Sequence, residues 1–203
     1  MNFHNSNPEK LSASYYLQDN VVDLARDLIG KKLVTFFNGK LTSGIITETE
    51  AYAGETDRAS HAFGGRRTAR TETMYAAGGI SYVYLCYGIH HLFNIVTNKK
   101  DIPHAVLIRG IMPLDGLEII QKRRKSLLPV HKMAAGPGTM SQALGISTKH
   151  NGISLTDTQI WVEKTVVKPF KIKITPRIGV DYAGKDALLP YRFVVSDPTK
   201  LKL

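Results

Sequence analysis

The sequence holds a single cysteine, Cys86. One thiol cannot form an internal disulfide framework, and it cannot by itself build a cysteine-ligated zinc site or an iron–sulfur cluster. A reducing, cytoplasmic setting is the expectation that follows. Long apolar runs are missing too, so no segment is expected to cross a bilayer. The opening stretch from Met1 to Leu11 is polar and lacks the apolar core of a secretion signal. Repeats, low-complexity tracts and Pro/Ser-rich linkers are likewise missing. Acidic residues are scarce: 17 Asp+Glu stand against 27 Lys+Arg, a formal charge of +10. That surplus suits a polyanionic partner, because each basic group that neutralises a phosphate releases condensed counterions. A solubilising surface accounts for it equally well. A membrane surface fits less, since no helix with a basic face and large apolar anchors is evident.

What is present reads as one folded unit. The 203 residues suffice for one sizeable core, and 43% hydrophobic residues can fill it. Residues 1–12 are expected to be loosely ordered and 13–203 to form a single domain. Val21, Leu24, Ala25 and Leu28 fall on one helical stripe, which Gly30 ends. The period then changes to two. Leu33 to Phe37 and Leu41 to Tyr52 read as strands joined through Asn38-Gly39, a strong hairpin signal. Residues 54–79 read as a long functional loop with room for one short helix. Ile80 to Tyr87 and His91 to Val96 form two strands pivoting at Gly88, and Ala105 to Arg109 a third. Leu114 to Arg124 and Thr139 to Leu144 read as helices, and the remainder alternates like strands around Trp161, Ile172 and Phe193. The predicted class is α+β: a curved, mainly antiparallel sheet with flanking helices and a protruding β-hairpin.

Three segments carry candidate chemistry. In Glu48-Thr-Glu50-Ala-Tyr52, strand alternation projects two carboxylates and an aromatic ring from one face. Adjacent like charges repel unless something offsets them, so the alternative is a solvated edge strand with surface acids. In Tyr82-Val-Tyr84-Leu-Cys-Tyr87-Gly88, the tyrosines suit either core filling or stacking on bases. Tyr84 and Tyr87 differ in parity, so one can face a pocket while the other stands near the turn. In Gly64-Gly65-Arg66-Arg67-Thr68-Ala69-Arg70, glycines and arginines suit phosphate contact.

In this order, with His61, Asn94, Arg109, Gly136-Pro137-Gly138, Gln142-Ala-Leu-Gly145 and Arg177-Ile-Gly179, these strings resemble the alkyladenine (3-methyladenine) DNA glycosylase family. This is the purine-DNA glycosylase type without a helix-hairpin-helix, and the match spans roughly residues 15 to 197. The resemblance implies a monomeric base-excision repair enzyme, without cofactor or metal, acting on double-stranded DNA. Such an enzyme flips alkylated or deaminated purines and hydrolyses the N-glycosidic bond with water, leaving an abasic site. Glu50 matches the general base and Arg109 the arginine that helps hold the water and Glu50. Tyr52, His61 and Tyr84 match residues that sandwich the flipped base, the main-chain amide near His61 aiding discrimination against adenine. Asn94 matches the asparagine that crowds the purine 2-position. Tyr87 matches the hairpin-tip wedge that fills the gap left by the nucleotide.

Phosphate contacts are expected from Arg66, Arg67, Arg70, Gly138 and Thr139. Thr139 departs from the lysine often found there, although backbone amides at a helix start can still bind phosphate. Ile89 and His90-His91 after Gly88 leave the shape of the wedge open. Two rival readings stand beside this one. A non-catalytic nucleic-acid-binding domain shares the charge and the tyrosines but has no need of Glu50 beside Tyr52. A metal-dependent hydrolase would draw on Glu48, Glu50, Asp57 or His61 with His90 and His91. Neighbouring histidines on a strand point to opposite faces and chelate one metal poorly.

Overall fold

The computed structural model describes residues 9–125, 127–165 and 170–201. Helix α1 (Val21–Asp27) starts at Asn20, whose side-chain oxygen accepts from the amides of Val22 and Asp23. Strands β1 (Lys32–Phe37) and β2 (Lys40–Tyr52) follow, joined at Asn38 and Gly39, both with positive φ (52° and 72°). Two successive left-handed residues match the right-handed twist of paired strands. Strands β3 (Ser81–Cys86) and β4 (His90–Thr97) repeat the device at Tyr87 and Gly88, with φ of 51° and 71°. Strand β5 (His104–Pro113) leads into helices α2 (Leu117–Arg124), α3 (Val130–Met133) and α4 (Pro137–Leu144). Strands β6 (Ile160–Glu163), β7 (Ile172–Thr175) and β8 (Arg192–Val195) complete the sheet.

Every strand pairing is antiparallel, in the order β3-β4-β5-β2-β1-β6, with β8 joining β2 to β7. Strand β2 is long enough to change partner. Its first half pairs with β1 and Glu48–Glu50 pair with β8, while β5 runs along its other edge. The β2–β5 register slips on both sides of Glu48, an irregularity that bends a strand and re-aims its side chains. The fold is therefore α+β, built on one curled antiparallel sheet.

The main core joins Leu24 and Leu28 of α1, Ile46 of β2, Phe93 of β4, Ile108 of β5, Ile120 of α2 and Met140 of α4. Two smaller apolar clusters involve the loops after β2. Ala62 and Met74 pack on Tyr82, and Ala59 packs on Val180 and Ala183 with Tyr52 alongside. Helices and loops thus hold separate groups of residues, and the loops leave room for a cleft.

Some expectations need correction. Helix α2 begins three residues later than Leu114, because Leu114 and Asp115 are bonded to Ser43. Helix α4 begins at Pro137, whose fixed φ suits a first turn. Residues 54–79 hold several 3-10 turns rather than one short helix. Residues 181–188 form further 3-10 turns around Gly184 (φ 59°), not a strand. Of the expected loose start, residues 1–8 lie outside the described residues, whereas Lys10 bridges Glu163 and Leu11 is buried.

Candidate active site

The acids of β2 are not a solvated edge. The strand has neighbours on both sides, and Glu50 is 0% exposed. Its carboxylate receives three donors: the Tyr52 hydroxyl (2.8 Å) and an Arg109 guanidinium nitrogen (3.2 Å) on Oε2, and the Ile178 amide (2.8 Å) on Oε1. Such partners complement an acceptor-only ionised carboxylate. Burial first, then the charge of Glu50 and the hydrogen bond to it, push the Tyr52 phenol well above its ordinary pKa. The hydroxyl therefore remains a donor.

Repulsion between Glu48 and Glu50 is offset by two arginines. Arg109 spans both acids, donating from Nε to Glu48 Oε1 at 2.8 Å, and Arg192 Nε donates to the same oxygen at 2.8 Å. Burial alone would lower the Arg109 pKa, but the Glu50 charge and the bond to Glu48 reverse this and raise it. Arg192 faces Glu50 in the β2–β8 register and also bonds Thr175. Sequence reasoning missed Arg192, whose strand alternation is visible but whose pairing with β2 is a long-range property.

A second buried pair lies behind the first. Arg177, 5% exposed, forms a two-pronged ion pair with Asp57 and donates to the carbonyls of Ala51 and Asp186. Its guanidinium lies over the rings of Tyr52 (4.8 Å) and Tyr191 (5.3 Å). Since Arg177 directly precedes Ile178, this pair anchors the amide that meets Glu50. Asp57 is thus occupied as an ion-pair partner, which corrects its place among candidate metal ligands. The Arg177-Ile-Gly179 string was the signal, but it did not reveal this contact.

Over these groups lies a cleft of about 480 Å³. Tyr52, Arg109 and Ile178, the three donors to Glu50, line it, so Glu50 sits just behind the wall. The predicted residues His61, Tyr84, Asn94, Tyr87 and Arg70 line the same cleft. His61 and Tyr84 meet edge to face, with ring centres 4.7 Å apart. His61 Nδ1 hydrogen-bonds the Tyr82 hydroxyl at 2.9 Å, which fixes the ring. Burial, then the charges of Arg70 and Arg66, push the His61 pKa down to about 4. Burial also raises the Tyr84 phenol. Asn94, 4% exposed and opposite Tyr82 in the hairpin register, donates from Nδ2 to the Tyr82 carbonyl at 3.1 Å.

Tyr87 is 91% exposed at the hairpin tip. A bulky residue at φ 51° is sterically disfavoured, so the tight turn holds this ring outward at a local cost. Tyr182, which sequence reasoning missed, also lines the cleft and donates to the Ala59 carbonyl at 3.1 Å. The proposed phosphate-binding residues are placed differently from one another. Arg66 is exposed. Arg67 is tied to Glu72 and Asp101. The Arg70 guanidinium lies over the Tyr84 ring at 5.0 Å. Gly138, at the start of α4, packs against the His90 ring, and the Thr139 hydroxyl donates to the Gly136 carbonyl at 2.8 Å. His91 instead accepts from the Thr148 amide. Among the described residues, no group of three or more His, Cys, Asp or Glu side chains could hold a metal ion, and no helix is long and apolar enough to cross a membrane.

A carboxylate behind an aromatic cleft, on a basic chain with an exposed aromatic hairpin tip, defines an architecture suited to holding a flat ring beside a nucleic acid backbone. The comparisons with known proteins agree. The family model for methylpurine-DNA glycosylase matches residues 15–199. A Chlamydia felis protein named "Putative 3-methyladenine DNA glycosylase" is 48% identical over 187 residues, covering 92% of this chain and 96% of its own length. Proteins of the same name from Chlamydia pneumoniae (45% identical, 92% and 95% covered) and Bacillus cereus strain AH820 (41%, 89% and 92%) are also similar. The chain belongs to the methylpurine-DNA glycosylase family. It is a DNA glycosylase, a hydrolase of N-glycosyl bonds acting in DNA repair.

Proposed function

We propose that the protein flips alkylated or deaminated purines out of duplex DNA and hydrolyses their N-glycosidic bond with a water activated by Glu50. The substrates are 3-methyladenine, 7-methylguanine, hypoxanthine and ethenoadenine. The observation that carries this reading is the buried Glu50 carboxylate, met by three donors from the wall of an aromatic cleft. An ionised carboxylate offers about four acceptor sites. Three are engaged; the fourth is the site this reading gives to the attacking water, which the cleft-lining Tyr52, Arg109 and Ile178 must admit because Glu50 is 0% exposed.

In this reading the sugar–base bond lengthens first, and positive charge grows on the deoxyribose. Glu50 stabilises that charge and takes a proton from water as its oxygen bonds the anomeric carbon. The bonding pair leaves with the purine nitrogen. Arg109 holds Glu50 and the water. The faces of Tyr52, His61 and Tyr84 bind the ring, and they favour alkylated purines, whose positive charge an aromatic face attracts. Asn94 crowds the 2-position and so disfavours guanine, a selectivity built from rejection. Tyr87 fills the vacated space and offsets part of the unstacking cost, a few kcal/mol for an ordinary pair. Arg66 and the backbone at Gly138 and Thr139 are the phosphate contacts, with α4 beside the hairpin through His90. No lysine stands in the assigned set as a nucleophile, so water attack gives an abasic site with the strand intact.

The test uses synthetic duplexes, each with one lesion, incubated with the protein in the presence of a chelator. Free base and an unbroken abasic strand are expected. Failure to release any of the four bases would overturn the reading, and abolition by the chelator would favour a metal-dependent hydrolase.

A further inference from the structure

Two arginines line the cleft, and their electrostatic situations differ. Arg109 is paired with both Glu48 and Glu50. Arg70, among the described residues, has no carboxylate within ion-pair distance. Arg177, next to the cleft-lining Ile178, is neutralised by Asp57. Arg70 is an exposed residue, yet its guanidinium is turned toward the cleft wall. It lies over the Tyr84 ring, 5.0 Å from its centre, within the cleft that the glycosylase reading assigns to the flipped base.

We propose that Arg70 is a charge filter of the base cleft, disfavouring cationic damaged purines relative to neutral ones. This inference rests on the proposed function. Alkylation at a ring nitrogen gives 3-methyladenine and 7-methylguanine nucleotides a positive charge, whereas hypoxanthine is neutral. Aromatic faces alone favour the cation. A fixed positive charge over one of those faces opposes that preference, and the opposition acts only on the charged base. The field of Arg70 already reaches the cleft interior, since with burial it helps keep the His61 ring neutral. At several ångströms, in a medium between surface and bulk water, such a repulsion changes a rate by about three- to tenfold. The phosphate role expected for Arg70 makes a different forecast, because a phosphate contact serves every lesion alike.

The experiment measures single-turnover release of hypoxanthine and of 7-methylguanine from otherwise identical duplexes, for the unsubstituted protein, Arg70→Gln and Arg70→Lys. The readout is the ratio of 7-methylguanine to hypoxanthine release. Arg70→Gln is expected to raise that ratio about three- to tenfold, and Arg70→Lys, which keeps the charge, to leave it near its original value. An unchanged ratio in Arg70→Gln overturns the inference, including the case where both rates fall together and the salt dependence weakens, the mark of a lost phosphate contact. If the unsubstituted protein released neither base, the glycosylase reading itself would fail. That result is visible before any variant is compared.

Discussion

The Tyr52 hydroxyl donates to Glu50 Oε2 at 2.8 Å, two residues along the same strand. Strand alternation makes this contact available, and the remaining neighbours make it necessary. Glu50 has no access to solvent, so each donor to its carboxylate replaces a lost water. Tyr52→Phe keeps the ring against Arg177 and removes one donor. It is expected to lower stability by about 1–3 kcal/mol, the cost of a lost hydrogen bond to a charged group, and to slow base release. Urea melts and single-turnover rates check both. An unchanged melt with an unchanged rate would mean that the hydroxyl is dispensable.

The Asp57–Arg177 pair should matter more to the fold than any surface pair. Both side chains are almost wholly buried, and removing one partner leaves an uncompensated charge. Asp57→Ala is therefore expected to destabilise the protein by about 3–5 kcal/mol. By contrast, Arg67→Ala, which breaks exposed pairs to Glu72 and Asp101, should change stability far less, because solvent screens such pairs. Chemical denaturation of the two variants gives the comparison, and equal losses would contradict the buried-clamp assignment.

Tyr87 predicts the opposite pattern, function without stability. Its ring is 91% exposed, so Tyr87→Ala should move the unfolding free energy by no more than about 0.5 kcal/mol. Release from duplex should fall more than release from single-stranded substrate, because only the duplex leaves a hole to fill. Equal losses on the two substrates would remove the wedge role.

His61 gives a pH dependence with a definite sign. Its pKa is pushed down to about 4 by burial and by Arg70 and Arg66, from the ordinary 6.5. Between those values the unfolded chain binds the additional proton, so acid favours unfolding. The contribution is intact above pH 6.5, declines as pH falls toward 4, and adds no slope at higher pH. Its greatest slope is about 1.4 kcal/mol per pH unit, for one proton. His104 and His150 are shifted in the same direction, so His61→Gln should flatten the acid limb without abolishing it. An acid limb unchanged by His61→Gln would show that the ring titrates normally.

Local order was legible in the sequence; long-range neutralisation was not. Asn38-Gly39 and Gly88 mark the hairpins, because positive φ is a local demand, whereas the positive φ of Tyr87, read as the end of a strand, was not legible. The alternation of Glu48, Glu50 and Tyr52 put the three on one face, where Tyr52 donates to Glu50 and Arg109 spans Glu48 and Glu50. What hides in one dimension is the identity of the groups that meet them. Arg192 and the Ile178 amide approach Glu48 and Glu50 from more than a hundred residues away in sequence. Asp57 could be read as a free acid until Arg177 was seen against it. Residues 54–79 defeat periodicity because their 3-10 turns go with glycines and local side-chain-to-backbone hydrogen bonds, not with a repeating apolar face.

The account stands most directly on the Glu50 carboxylate, and Glu50→Gln tests it with little change of shape. Binding to a hypoxanthine duplex and single-turnover release of the base are measured on the same preparation. The prediction is affinity close to that of the unsubstituted protein with release reduced by at least about 100-fold, as expected when a general base is lost. Release at the original rate would show that the water is activated elsewhere.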